Sequence, residues 1–281
     1  MYHLLLHRTP IPIIPESRPP HKSSLSRVGM NQLNCVQMDG GGVDSDGRQF
    51  KSAEEMWREA VGDGDPLKKS QWYSQGVGYW QGVEATVDGV LGGYGHVNKP
   101  DIEGSEAFLN LILAERFPDA GSGRRLNTLD CGSGIGRVTK NLLIRYFNEV
   151  DLLEPVSHFL DTARENLSPE NLMVTEDHKA VNFFCVPLQG GLRPGGLFIL
   201  KENIARNGFV LDNQDKSITR SDLYFKQLFK QCGLHILKMK DQKGFPNELF
   251  AVKMYALTTD LPKKTKTSKS KRQVNRPGII R

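Results

Sequence analysis

The chain is 281 residues long, 38% hydrophobic and 25% charged, with a formal net charge of +5. Those values exclude collagen-like, mucin-like and wholly disordered classes, and they allow one or two domains with a sizeable core. No run of about 18 apolar residues exists to span a membrane, and four scattered cysteines without a CxxC pair exclude a disulfide scaffold or structural zinc site and suit a reducing compartment.

The charge is uneven. Residues 258–281 carry +7 and residues 1–37 carry +3, which leaves −5 for the stretch between. Residues 1–50 hold Pro10, Pro12, Pro15, Pro19, Pro20 and a glycine run at 40–42. No period survives there, so a disordered leader is expected over 1–50. Residues 258–281, with Lys263, Lys264, Lys266, Lys271 and Arg272, read as a basic disordered tail.

Residues 51–257 alternate strands and helices. A short helix is predicted over 52–60. Residues 71–82 place Trp72, Tyr73, Tyr79 and Trp80 at helical spacing. Ser105 is a candidate cap for a helix carrying Phe108, Leu109, Ile112 and Phe117. A strand at 126–130 leads through a glycine loop into a helix with Val138, Leu142 and Tyr146 on one face. A strand at 150–154, a helix from Ser157 to 167, and strands at 181–186 and 197–203 follow. A helix at 221–232 and two strands, 235–240 and 249–257, complete the series. Such alternation predicts an α/β doubly wound parallel sheet. The last two strands read as an antiparallel edge hairpin.

The run Asp130-Cys131-Gly132-Ser133-Gly134-Ile135-Gly136-Arg137 follows a strand and opens a helix. Glycine permits a tight turn and a close approach of backbone to ligand. Glu154 ends the next strand, where an acid can bond the hydroxyls of a ribose. The spacing leaves S-adenosylmethionine (SAM), a dinucleotide and a structural turn open. It favours SAM, because the dinucleotide fingerprint places its third glycine one residue later.

Several separate motifs carry a resemblance. Tyr79-Trp80, TVDGVLGGYGH at 86–96, LDCGSGIGRVTKNLL, EVDLLEP, KENIARNGFVLD at 201–212 and LFAVKMYAL are similar to the alpha N-terminal protein methyltransferases. The likeness spans about residues 72–257, and its wording is plant-like. It implies a class I SAM-dependent, Rossmann-like fold and methylation of the α-amine of proteins that begin Xaa-Pro-Lys. It implies a monomer without a nucleic-acid, membrane or metal role, placed in cytoplasm and nucleus. By the same resemblance Gly132, Gly134, Arg137, Glu154, Leu188 and Gln189 hold SAM. Trp80, Leu91, Tyr94, Asn203 and Ser217 face the substrate, and Asp212, Asp215 and Asn203 serve the amine.

One departure stands out. Gln189 runs directly into Gly190-Gly191-Leu192-Arg193-Pro194-Gly195-Gly196. The family has roughly 35 more residues here, enough for a strand and its crossover helix. The absent motif resembles D-V-I-W-x-Q-W-x-I-G-H-L, and no histidine of this chain matches the base in it. The expectation is a sheet that loses or replaces one central strand beside residues 126–130, an unfilled gap leaving backbone groups unsatisfied. Low stability is expected, and the alternative to an active methyltransferase is an impaired chain that binds SAM or a partner without turnover.

Overall fold

The computed structural model describes residues 2–7, 40–119, 125–167, 172–175, 192 and 195–260. Its strands are β1 (Tyr2–His7), β2 (Gly42–Asp44), β3 (Gln49–Phe50), β4 (Asn127–Cys131), β5 (Glu149–Leu153), β6 (Leu172–Thr175), β7 (Leu197–Ala205), β8 (Phe209–Leu211), β9 (Ile218–Ser221), β10 (His235–Asp241) and β11 (Ala251–Thr258). Its α-helices are α1 (Ala53–Met56), α2 (Pro66–Gln81), α3 (Val87–Val90), α4 (Asn98–Arg116), α5 (Arg137–Asn141), α6 (Ser157–Asn166) and α7 (Asp222–Gln231).

The main sheet runs β6-β5-β4-β1-β7-β11-β10. β4, β5 and β6 are parallel. The β10–β11 hairpin is antiparallel and reaches the sheet through β7, as the sequence predicts. The parallel strands lie under helices on both faces. α4 buries Phe108, Leu109 and Ile112 on one side, together with Leu197 and Ile199 of β7. Phe225 and Phe229 of α7 pack with Phe198, Leu200 and Tyr255 on the other. Alternate residues of β7 therefore serve opposite cores, which explains the continuous apolar run Leu197–Leu200.

The gap expected beside β4 is not open. β1 lies there, antiparallel to both neighbours. Leu4 stands opposite Asp130 on one side and Ile199 on the other. Of the two expected outcomes, loss or replacement of a central strand, the structure shows replacement, by a strand from the other end of the chain. A crossover of a dozen or more residues constrains only a parallel insertion; an antiparallel strand arriving from residues 2–7 needs none.

The leader is corrected a second time at residues 42–50. β2 pairs in parallel with β8, and β3 pairs antiparallel with β2. Phe50 is buried with Met56, Phe209 and Leu211. Short strands beside a glycine run give almost no local period, so their pairing is invisible in sequence.

Smaller differences have local causes. α4 begins seven residues before Ser105, and Pro100 fits its first turn because proline lacks only an N–H that is orphaned there anyway. The Ser105 hydroxyl instead donates to the Asp101 carbonyl at 2.8 Å. Ser157 is the first residue of α6, and the preceding Val156 makes no side-chain cap. α5 has five residues and passes into a 3₁₀ turn at Leu143–Arg145. The strand expected at 181–186 lies outside the described residues. β6 was not foreseen.

Candidate functional site

The carboxyl ends of β4, β5 and β7 open into a cavity of about 660 Å³. Gly132, Ser133, Gly134, Arg137 and Glu154 form one part of its wall. Asn203, Asp215 and Ser217 form another, with Trp80, Leu91 and Tyr94 above. Of the expected site residues, only Asp212 is described yet absent from the lining. Leu188 and Gln189 lie outside the described residues.

The glycine loop is built by positive φ at Gly132 (+68°), Gly134 (+54°) and Gly136 (+70°), a region that L side chains adopt at a cost. A Cβ on Gly132 would meet nothing within 4 Å, so the backbone faces open space. Gly136 serves packing. A Cβ there would press on Leu167 at 2.9 Å and Ala163 at 3.2 Å. This close approach to α6 explains the early third glycine.

Glu154 clamps the loop. Its Oε2 accepts from the Gly134 N–H at 2.8 Å and its Oε1 accepts from the Val156 N–H at 3.1 Å. Burial raises its pKa against those two hydrogen bonds. Each oxygen keeps a second lone pair, which can accept from a diol. Asp130 lies beneath, fully buried, accepting from the Thr139 hydroxyl at 2.7 Å. Burial pushes it up to about 7.

Arg137 is not a solvated first-turn arginine. Its guanidinium donates to Asp101 Oδ2 at 2.7 Å and Asn98 Oδ1 at 2.6 Å. Lys201 Nζ reaches the other Asp101 oxygen at 2.6 Å and also donates to Ser105 Oγ and Gln242 Oε1. One buried carboxylate thus lies between two buried cations at the cavity wall. That excess of positive charge favours an anionic group of a ligand. Burial draws Arg137 down to about 10 and also lowers Lys201.

At the other end, residues 212–217 join β8 to β9. Asp212 Oδ1 accepts from the Gln214 N–H at 2.7 Å, and the Asp212 N–H donates to the Ser217 carbonyl. Asp212 therefore shapes the turn, and it is not among the residues lining the cavity. Asp215 lines the cavity and accepts from the Ser217 N–H at 2.7 Å. Asn213 ties the turn to Ser45 and Asp46, so residues 42–50 help position the acid loop.

Trp80 lines the same cavity. It packs on Phe159 and joins Ile135 and Val156, at the cofactor-loop end. Trp57, Trp72, Tyr73, Lys201, Glu202 and Arg220, none of them among the expected site residues, also line the cavity. Charged residues inside the apolar run LFILKENIA were the signal available, because Lys and Glu are rarely buried without a task. Glu202 is buried, and desolvation pushes it up to about 8 against the nearby Arg220.

The donor set suits SAM. A glycine backbone open to a ligand, an acid with spare lone pairs and a cationic cluster answer its backbone, ribose and carboxylate contacts. The buried Ser133 hydroxyl, which has no hydrogen-bond partner among the described residues, adds a polar atom at the same wall.

Comparison with known proteins agrees. A family model described as "AdoMet dependent proline di-methyltransferase" matches residues 68–191 and 189–258. The two stretches meet where the sequence reading placed the missing segment. Alpha N-terminal protein methyltransferase 1 of Arabidopsis thaliana is 58% identical over 279 residues, covering 87% of this chain and 100% of that one. Since 87% of this chain is about 244 residues, about 35 of those aligned positions face no residue here. N-terminal Xaa-Pro-Lys N-methyltransferase 1-B of Xenopus laevis is 34% identical, covering 67% of this chain and 96% of its own. A solved SAM-dependent methyltransferase of Leishmania major is 36% identical with a TM-score of 0.66, covering 78% of this chain and 96% of that one.

Proposed function

Because the chain belongs to the alpha N-terminal protein methyltransferase family, we propose that it methylates the α-amine of proteins whose exposed N-terminus reads Xaa-Pro-Lys. The observation that carries the reading is continuity: one cavity is lined both by Gly132 and Glu154 and by Asn203 and Asp215. SAM, when bound, supplies an electrophilic methyl group on a sulfonium.

The protein's own residues do the rest. Gly132, Gly134, Glu154 and Arg137 hold the cofactor with its reactive end toward the acid loop. Asn203 orients the substrate backbone. An α-amine has a pKa near 8, so about a tenth is neutral at pH 7. Asp215 is the carboxylate at the substrate end that takes up the proton the amine must lose, whereas burial keeps Glu202 largely protonated at pH 7. Trp57, Trp72 and Tyr73 offer apolar faces to a proline ring. With no histidine matching the family's base, proton removal falls to Asp215. We place the enzyme in the cytoplasm and nucleus, with the basic residues after 258 as the import signal to test by imaging.

The test is direct. The purified chain, SAM and a Ser-Pro-Lys peptide are incubated and the peptide is analysed by mass spectrometry. Methylation on the α-amine supports the reading, and SAM binding with an unmodified peptide refutes it.

A further inference from the structure

The position of β1 has no counterpart in a fold whose central strands enter through crossovers. From it we infer that the slot between β4 and β7 is a binding site for an extended segment, and that residues 2–7 of this chain are its occupant, a donor strand that completes the catalytic sheet.

The register argues for a built site. Residues 3–7 stand opposite Cys131–Asn127 of β4 in unbroken antiparallel order. Residues 2–6 stand opposite Lys201–Leu197 of β7, again without a bulge. Both rows of backbone groups are thereby supplied with partners. Withdrawing β1 would leave two facing edges in the middle of the sheet, where an unpaired backbone group costs about as much as a lost hydrogen bond. β4 and β7 are parallel to each other, since each is antiparallel to β1, so the slot keeps the direction that a parallel sheet requires.

The position also matters for the site. β4 leads directly into the glycine loop at Gly132, and β7 carries Lys201, Glu202 and Asn203. With β1 between them the two ends are separated by two strand spacings, about 9.6 Å. Without it they would close to about 4.8 Å or part altogether. The cofactor loop itself is held by β4 and β5, through Leu153 and Glu154. Docking of β1 therefore sets the distance between cofactor and acids rather than the cofactor site alone. That consequence for turnover rests on the function proposed above; the docking does not.

The experiment uses the full chain. Residues directly opposite in an antiparallel pair have Cα atoms about 4.5–5.5 Å apart and share a sheet face, which lies within the range a disulfide spans. Leu6 is opposite Thr128. Leu6→Cys with Thr128→Cys, under mild oxidation, is expected to give a 6–128 disulfide within one chain. Leu5→Cys with Thr128→Cys, one residue out of register and on the other face, is expected to give none. Absence of the 6–128 bond, equal yield in the control, or a bond only between two chains would overturn the proposal. In a second variant, Leu4→Pro with Leu6→Pro removes ladder donors. Faster amide exchange at residues 127–131 and 197–201 is expected. SAM affinity should fall much less than kcat, which drops about 10²-fold. Unchanged exchange would again overturn it. Because the disulfide and exchange readouts need no turnover, a wrong substrate assignment would leave them intact.

Discussion

Arg137 and Asp101 form an ion pair at 2.7 Å with both side chains almost wholly buried. Asp101 lies on α4 and Arg137 opens α5, so the pair locks the helix covering one sheet face to the cofactor loop. Removing one partner of such a pair leaves a buried charge uncompensated. Asp101→Ala should lower stability by about 3–5 kcal/mol and weaken SAM binding, because Arg137 and Lys201 would lose the carboxylate that holds them in place at the wall. Denaturant unfolding with and without SAM measures both. A variant as stable as the parent would show that the pair is incidental.

Glu154→Ala should weaken SAM binding by about 1–3 kcal/mol, the cost of leaving buried donors unpaired. The Gly134 and Val156 N–H groups lose their acceptor and the ribose hydroxyls lose theirs. Calorimetry that finds the affinity unchanged would remove Glu154 from the cofactor site.

The two acids of the 212–217 turn should separate by function. Asp215→Asn should cost roughly 10²–10⁴ in kcat if its carboxylate takes the proton. Asp212→Ala should act on the turn instead, lowering stability by about 1 kcal/mol through lost hydrogen bonds while kcat at saturation changes far less. Equal losses of kcat in both variants would contradict the division that the geometry makes between them.

Stability should depend on pH through Asp130. Its pKa rises from 3.8 to about 7 on folding because burial penalises the charged form. The folded state therefore binds more protons than the unfolded state between those values, and this group makes stability fall as pH rises through that window. Asp130→Asn keeps an acceptor for Thr139 and removes the titration. Relative to the parent, it should gain stability from pH 4 to pH 7 and gain no more above that. Denaturant midpoints measured across this range check it; parallel curves for both proteins would exclude Asp130 as the cause.

The cofactor half of the site was legible because its signal is local. A strand, three glycines and an acid at the next strand end fall within residues 126–154, and the backbone that glycine permits is the backbone seen at Gly132 and Gly134. Asn203 and Asp215 were reached through the motif around residue 201. What sequence did not show depends on distant pairing. Asp101 meets Lys201 from 100 residues away. The strand at residues 2–7 meets β7 from still further, and three leucines between two histidines, just ahead of a proline-rich stretch, carry no sign of their partner. Asp212 and Asp215 look alike in sequence; only the hairpin geometry turns one into the turn and the other toward the cavity.

Turnover by the full chain on a Ser-Pro-Lys peptide with SAM, compared with the same peptide acetylated at its α-amine, is the most direct test. The account predicts methyl addition to the first peptide, on the α-nitrogen, and none to the second. Methylation of both peptides, or saturable SAM binding with neither modified, would contradict it.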